Sequence, residues 1–102
     1  MMVFVYGTLA NSEIRKNILN RHVPAKPSTL VGYDCSKTIT IENESYFAAE
    51  KNPEFVTEGF IIELTSEEIL KLDVYETDAY KKREVTLIDG TKAWIYLNKN
   101  SD

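Results

Sequence analysis

Met2, Val3, Phe4, Val5, Tyr6, Gly7, Thr8 and Leu9 open the chain with five apolar residues in a row, mostly β-branched or aromatic, followed by a glycine break. A strand wetted on one face alternates polar with apolar; an unbroken run reads as a strand covered on both faces, so a central strand is predicted here. Gly7, Thr8 and Leu9 end it. Asn11 or Ser12 then supplies an N-cap for a short helix in which Ile14 and Ile18 fall one turn apart. The chain therefore begins strand, tight turn, helix.

Pro24 and Pro27 close that unit, and Leu30, Val31, Tyr33 and then Thr38, Ile39, Thr40, Ile41 predict short strands interrupted at Gly32. Tyr46, Phe47 and Ala48 form another short apolar piece. Residues 55–64, with Phe60, Ile61 and Ile62 following Gly59, predict a second buried strand. Thr65, Ser66, Glu67 and Glu68 have the spacing of a capping box, which starts a helix near Ser66. Residues 82–88 and 91–97 flank Asp89 and Gly90, the dipeptide of a two-residue hairpin turn with positive φ at both positions. This order predicts a mixed α/β (α+β) domain with two short helices and a mainly antiparallel, strongly curved sheet. Any parallel pairing should involve the first strand.

With 102 residues, no internal repeat and no linker-like tract, a single domain over residues 1–102 is expected. The composition, 43% hydrophobic and 27% charged, is that of a globular domain and excludes collagen-like or disordered classes. A net charge of −4 argues against a nucleic-acid partner, whose phosphates call for a wide basic face. The charge is also uneven. Residues 1–34 carry four basic and two acidic side chains, and the acidic excess lies in the remainder. The one basic run, Lys81, Lys82 and Arg83, reads as a solvated strand edge.

A lone Cys35 makes no internal disulfide, and one Cys with one His supplies no recognisable metal-ligand set, so neither metal nor cofactor is implied. The apolar residues 1–6 are too few for a signal peptide or a membrane span, which leaves a cytoplasmic location as the expectation and no membrane partner.

Two features could carry chemistry. Stepping about 100° per residue from Ile69 puts Leu72 near −60°, Asp73 near +40° and Glu76 near −20°, all on one face. If the helix runs through its last turn, Glu76 points inward while Glu67, Glu68 and Lys71 take the solvent side; if it stops at Asp73 or Val74, Glu76 projects into water. Burial and the negative end of a helix both raise a carboxyl pKa, which makes an inward Glu76 a candidate general base. The second feature is the turn itself, whose backbone N–H groups at Gly7, Thr8 and Leu9 form a ready anion site, although such turns also serve structure alone. His22 reads as a surface residue, Cys35 as a small buried or edge residue, and Asp73 as a cap or an orienting group. Trp94 and Tyr96 share one strand face that covers a groove or a dimer contact.

These features occur together in a recognisable order. Val5, Tyr6, Gly7, Thr8 and Leu9, the strand led by Gly59, then Leu72, Asp73, Val74, Tyr75 and Glu76, and finally Tyr80 and Arg83, resemble the gamma-glutamylcyclotransferase-like family over most of the chain. The resemblance implies a barrel-like mixed sheet with a cavity between the first turn and the helix bearing the Glu. It also implies an enzyme that cyclises a gamma-glutamyl group to pyroglutamate and releases an amine or amino acid. Glu76 matches the family's acid/base, Tyr6, Gly7, Thr8 and Leu9 its glutamyl-holding loop, and Tyr80 a tyrosine of the same cavity. The implied partner is a small gamma-glutamyl molecule, with monomer and homodimer both open.

The chain departs from the family pattern at Ala10, Asn11, Ser12 and Glu13, where a Lys-Arg-Gly-type stretch is usual, and at Thr77, where Gly is common. It is also short, so trimmed loops are expected around the cavity. The rival readings are a non-catalytic metabolite-binding module and a protein-interaction domain that uses Trp94 and Tyr96.

Overall fold

A computed structural model describes residues 1–101. The first apolar run forms β1 (Met2–Val5), and a 3-10 turn over Thr8–Ala10 leads into α1 (Ser12–Leu19). The Asn11 side chain caps α1 by accepting from the Glu13 and Ile14 amides at 2.9 and 3.2 Å. Asn20, in the left-handed region at φ 60, ends it. There follow β2 (Lys26–Asp34), β3 (Thr38–Ile41), β4 (Glu44–Phe47), β5 (Glu50–Glu63), α2 (Ser66–Glu76), a 3-10 turn over Thr77–Ala79, β6 (Tyr80–Thr86) and β7 (Lys92–Asn98).

Five strands make one curled sheet in the order β2-β5-β1-β7-β6, a half-barrel, while β3 and β4 pair only with each other. β1 lies in the centre, antiparallel to β5 and parallel to β7. Both its faces are covered, as an unalternated run requires. Val3 and Val5 pack with Leu19, Ile62, Ile69 and Leu72 under the helices, whereas Phe4 joins Leu30, Ile61, Ile95 and Leu97 inside the curl. The curl is drawn together at one end by the Ile88 amide, which donates to the Thr29 carbonyl of β2 at 3.0 Å. Gly59 is needed because β5 crosses β1 closely: a Cβ there would lie 2.7 Å from both the Phe4 ring and the Val5 carbonyl oxygen. No helix among the described residues is long and apolar enough to cross a membrane.

Four expectations need correction. The strand expected over residues 55–64 is longer, and only its last third is buried; Phe55 and Val56 lie on the exposed part. Local composition announces a strand but not where the sheet stops being covered. The β6–β7 hairpin is closed by three residues, Ile88, Asp89 and Gly90, with the Leu87 amide donating to the Thr91 carbonyl at 2.7 Å. Only Gly90 has positive φ, 91°, which is the arrangement of a regular turn followed by a left-handed glycine. The two-residue turn with both φ positive occurs instead at Glu42 and Asn43, between β3 and β4.

Glu68, expected in solvent, is buried, because Arg21 grips it with Nε to Oε2 at 2.6 Å and Nη2 to Oε1 at 2.9 Å. The Arg21 guanidinium holds the Glu68 carboxyl down at about 2. The reciprocal capping-box bonds between Thr65 and Glu68 form as expected, at 3.0 and 3.2 Å. Finally, the strand face that carries Trp94 and Tyr96 is itself packed against the core, and Tyr96 also lines a hollow. Tyr96 is buried in the core beneath α2 and donates to Asp73 Oδ1 at 2.6 Å, and Trp94 packs against the same core with Lys82 Nζ 5.5 Å above its ring.

Candidate active site

Because α2 continues to Glu76, its last residue, the carboxylate is carried on the same face as the buried Ile69 and Leu72. It enters a cavity of about 310 Å³. The turn that ends β1 forms another wall, so Tyr6, Gly7, Thr8, Leu9, Glu76 and Tyr80 all line one hollow. The remaining wall comes from the detached β3–β4 hairpin, through Ile41, Glu42, Tyr46 and Phe47, together with Tyr75, Thr77 and Tyr96. No Lys, Arg or His stands among the described residues that line it.

Burial alone pushes the Glu76 carboxyl up to about 7. No hydrogen bond or ion pair holds it among the described residues, which is why nothing opposes the desolvation. Its charge also raises the phenols of Tyr6, Tyr80 and Tyr96, in each case after burial as the larger cause. Tyr80 is pushed up to about 12. The carboxyl thus titrates near neutrality while the phenols around it stay protonated.

The hydroxyls are mostly engaged in structure. Tyr6 donates to the Tyr96 carbonyl and accepts from the Ala49 amide at 2.9 Å, so it ties the end of β1 to β7 and to the start of β5. Its ring, not its hydroxyl, is left for a ligand. Tyr80 donates to the Phe47 carbonyl at 2.8 Å and so holds the β3–β4 hairpin against the site. Thr8 Oγ1 meets the Tyr75 hydroxyl at 3.1 Å across the mouth between turn and helix. Asp73 takes no place in the cavity; it orients Tyr96 and receives Lys82 Nζ at 3.2 Å.

Sequence reasoning missed Arg15. This residue is 4% exposed and belongs to the polar-looking helix α1. Its Nη1 donates to the Leu9 and Ala10 carbonyls at 3.1 and 2.9 Å, and its Nε to the Val23 carbonyl at 3.2 Å. The guanidinium therefore clamps the back of the turn. Glu42 was also missed, and Tyr46 and Tyr75 were given no role in the site; Glu42 and Tyr46 come from the β3–β4 hairpin and Tyr75 from the end of α2. His22 is exposed and Cys35 is buried, with its thiol pushed up to about 11 by burial.

Thr77 follows Glu76 at φ 63 and ψ −171, a region that essentially only glycine occupies without strain. The β-branched side chain makes this worse. Thr77→Gly is therefore expected to stabilise the fold by about 1 kcal/mol, the relief of strain less the added chain entropy of glycine. Urea denaturation measures it; a loss of stability would show that the threonine is not strained.

The sequence of residues 3–102 matches the family described as gamma-glutamyl cyclotransferase, AIG2-like. None of the curated proteins compared matches it. Among solved structures, an Arabidopsis thaliana protein solved in solution superposes with a TM-score of 0.81 at 23% identity, over 99% of this chain and 63% of its own. A Pyrococcus horikoshii protein described as uncharacterized gives 0.72 at 19% identity, over 99% and 80%. A structure described as a gamma-glutamyl cyclotransferase gives 0.75 at 14% identity, over 100% and 68%. The chain thus spans 63% to 80% of the lengths of these proteins, and at such identities the likeness speaks for the fold.

Proposed function

The chain belongs to the AIG2-like gamma-glutamyl cyclotransferase family, and on that premise we propose that it cyclises a gamma-glutamyl compound to pyroglutamate, with Glu76 as general acid/base. One observation carries the reading: a carboxyl with a pKa of about 7 shares a hollow with the turn of residues 6–9.

The substrate supplies both reacting groups, so neither a protein nucleophile nor a metal is required. Glu76 takes a proton from the substrate's α-ammonium. The freed nitrogen attacks the side-chain carbonyl carbon, and a C–N bond forms that closes the five-membered ring. The attack leaves the ring nitrogen with one proton too many; as the bond from the carbon to the departing nitrogen breaks, Glu76 returns its first proton to the leaving amine, then takes the second from the ring nitrogen and passes it to the same amine, which departs as an ammonium. Atoms and charge balance without a further reactant. A group titrating near the working pH performs both halves of such a transfer best.

Gly7, Thr8 and Leu9 present amides at the start of a 3-10 turn, where N–H groups lack helical acceptors, and these suit the substrate's carboxylate or the developing oxyanion. The rings of Tyr6 and Tyr80 hold the glutamyl chain bent. Bringing nucleophile and carbonyl together is worth several kcal/mol of barrier, on the order of the largest effects available to positioning.

The test is pyroglutamate release from gamma-glutamyl conjugates, followed across about pH 5 to 9. Because the ionised carboxylate is the base, kcat/KM should rise with pH through about 7. The substrate's ammonium, once bound, favours the carboxylate, so the same limb in kcat should lie lower. A profile without an inflection near neutrality would count against Glu76 as the base.

A further inference from the structure

Tyr6, Tyr80 and Tyr96 line the cavity together with Glu76, and beyond the effect of burial the charge of that carboxylate raises each of their phenols. A phenol has one proton to give, and a half-buried carboxylate is the strongest acceptor near it. None of the three gives its proton there. Tyr6 donates to the Tyr96 carbonyl and Tyr80 to the Phe47 carbonyl, so main-chain acceptors take two of the protons. The third goes to a side chain, for Tyr96 donates to Asp73 Oδ1 at 2.6 Å.

Asp73 stands one turn before Glu76 on α2, where Cβ atoms are about 5–6 Å apart, so a hydroxyl bonded to one carboxylate can reach the other once that bond is gone. Lys82 Nζ, 3.2 Å from both Asp73 oxygens, holds the Asp73 carboxylate in its place. The other titratable groups of the cavity are Glu42 and Tyr46 of the hairpin and Tyr75 of α2. Tyr46 donates to Glu44 and the Tyr75 hydroxyl pairs with Thr8, and no Lys, Arg or His is among the described lining residues. Resting on the cyclotransferase reading, we propose that Asp73 is a positioning residue: it draws the Tyr96 proton away from Glu76 and so leaves both Glu76 oxygens free for the substrate's α-ammonium. A phenol donating to Glu76 would stabilise the ionised form, weaken the base and occupy the lone pair that the ammonium must reach.

Titration of the Glu76 side-chain carboxyl by carbon-detected NMR tests this without recourse to turnover. The proteins compared are the wild type, Asp73→Ala, Tyr96→Phe and the double variant. Asp73 is half-buried in the last turns of α2 and alanine is the better helix former, so Asp73→Ala is expected to fold. Its freed Tyr96 hydroxyl turns to Glu76, and the midpoint should fall from about 7 to about 5 to 6, the effect of one hydrogen bond to a charged group. Tyr96→Phe has no proton to give and should keep its midpoint near the wild-type value. Made in that background, Asp73→Ala should lower the midpoint by less than half as much. Loss of the Asp73 charge alone would act equally with and without the hydroxyl.

The proposal is overturned if Asp73→Ala does not lower the Glu76 midpoint, or if half or more of the fall persists in the Tyr96→Phe background. In kinetics the lower limb of kcat/KM should move with the midpoint, and kcat above about pH 8 should drop several-fold in Asp73→Ala because the base is weaker. If the wild type releases no pyroglutamate from any gamma-glutamyl conjugate, the cyclotransferase reading falls instead, and the NMR midpoints alone decide where Asp73 keeps the Tyr96 proton.

Discussion

Glu76→Gln is expected to reduce pyroglutamate release by about 10²- to 10⁴-fold, the range lost with a single general acid/base. Glutamine has nearly the same shape and lines the same hollow, so binding of the glutamyl group should survive and the loss should fall on kcat. Stability should move the other way. The Glu76 carboxyl titrates at about 7 in the fold and at 4.5 in its ordinary state. Its contribution to stability is thus fully present below about 4.5 and is lost as the pH rises through 7, because the native site must hold an uncompensated charge. Glutamine has no such dependence. The variant should therefore gain on the wild type between pH 5 and pH 8, by at most about 3 kcal/mol, and by less to the extent that water enters the mouth. Thermal unfolding at the two pH values reads the gain directly. An inactive variant with no pH-dependent gain would place the carboxylate in water; an active one would remove it from the chemistry.

The second large effect concerns Arg15. Arg15→Met removes three charge-assisted bonds and leaves the carbonyls of Leu9, Ala10 and Val23 without their buried donor. Each such carbonyl costs about 1 kcal/mol or more, and partial rescue by water puts the total near 2 to 4 kcal/mol. For a chain of this length that lowers Tm by roughly 10 °C or more. Arg15→Lys, one point charge in place of a planar fork, should recover only part of it. Where Arg15→Met still folds, the proposed role of the turn in holding substrate predicts that KM rises more than kcat falls, because Glu76 stays in place. An unchanged Tm would mean that the packing of α1 alone supports the turn.

Local signals were sufficient wherever the physics is local. The unalternated run at β1, the Thr65–Glu68 capping box and the inward face of α2 all depend on residues a few positions apart, and each formed as expected. Failures came where the deciding partner is distant. Glu68 was placed in water because Arg21, 47 positions away, is invisible to a helical wheel. Arg15 gave no local signal, since its carbonyl partners Leu9, Ala10 and Val23 lie outside its own helix. The tyrosines of the mouth lie on three separate elements and meet only once Tyr80 fastens the β3–β4 hairpin over the turn. Asp89 and Gly90 carried a turn signal, yet the hairpin took the longer loop, in which only the glycine needs positive φ.

β1 stops at Val5, and beyond it Ala49 takes over the free edge of β7, with the Asn98 amide donating to the Ala49 carbonyl at 2.9 Å. Two stretches of chain thus share one rail end to end, and Val5 and Tyr6, where the first leaves it, line the hollow. Main-chain atoms make most of that junction, joined by one side chain, the Tyr6 hydroxyl between the Tyr96 carbonyl and the Ala49 amide. Most of the surrounding side chains are consequently at liberty to vary over generations without erasing the opening, which is how a lineage can retain a place for chemistry while little of its lettering stays the same.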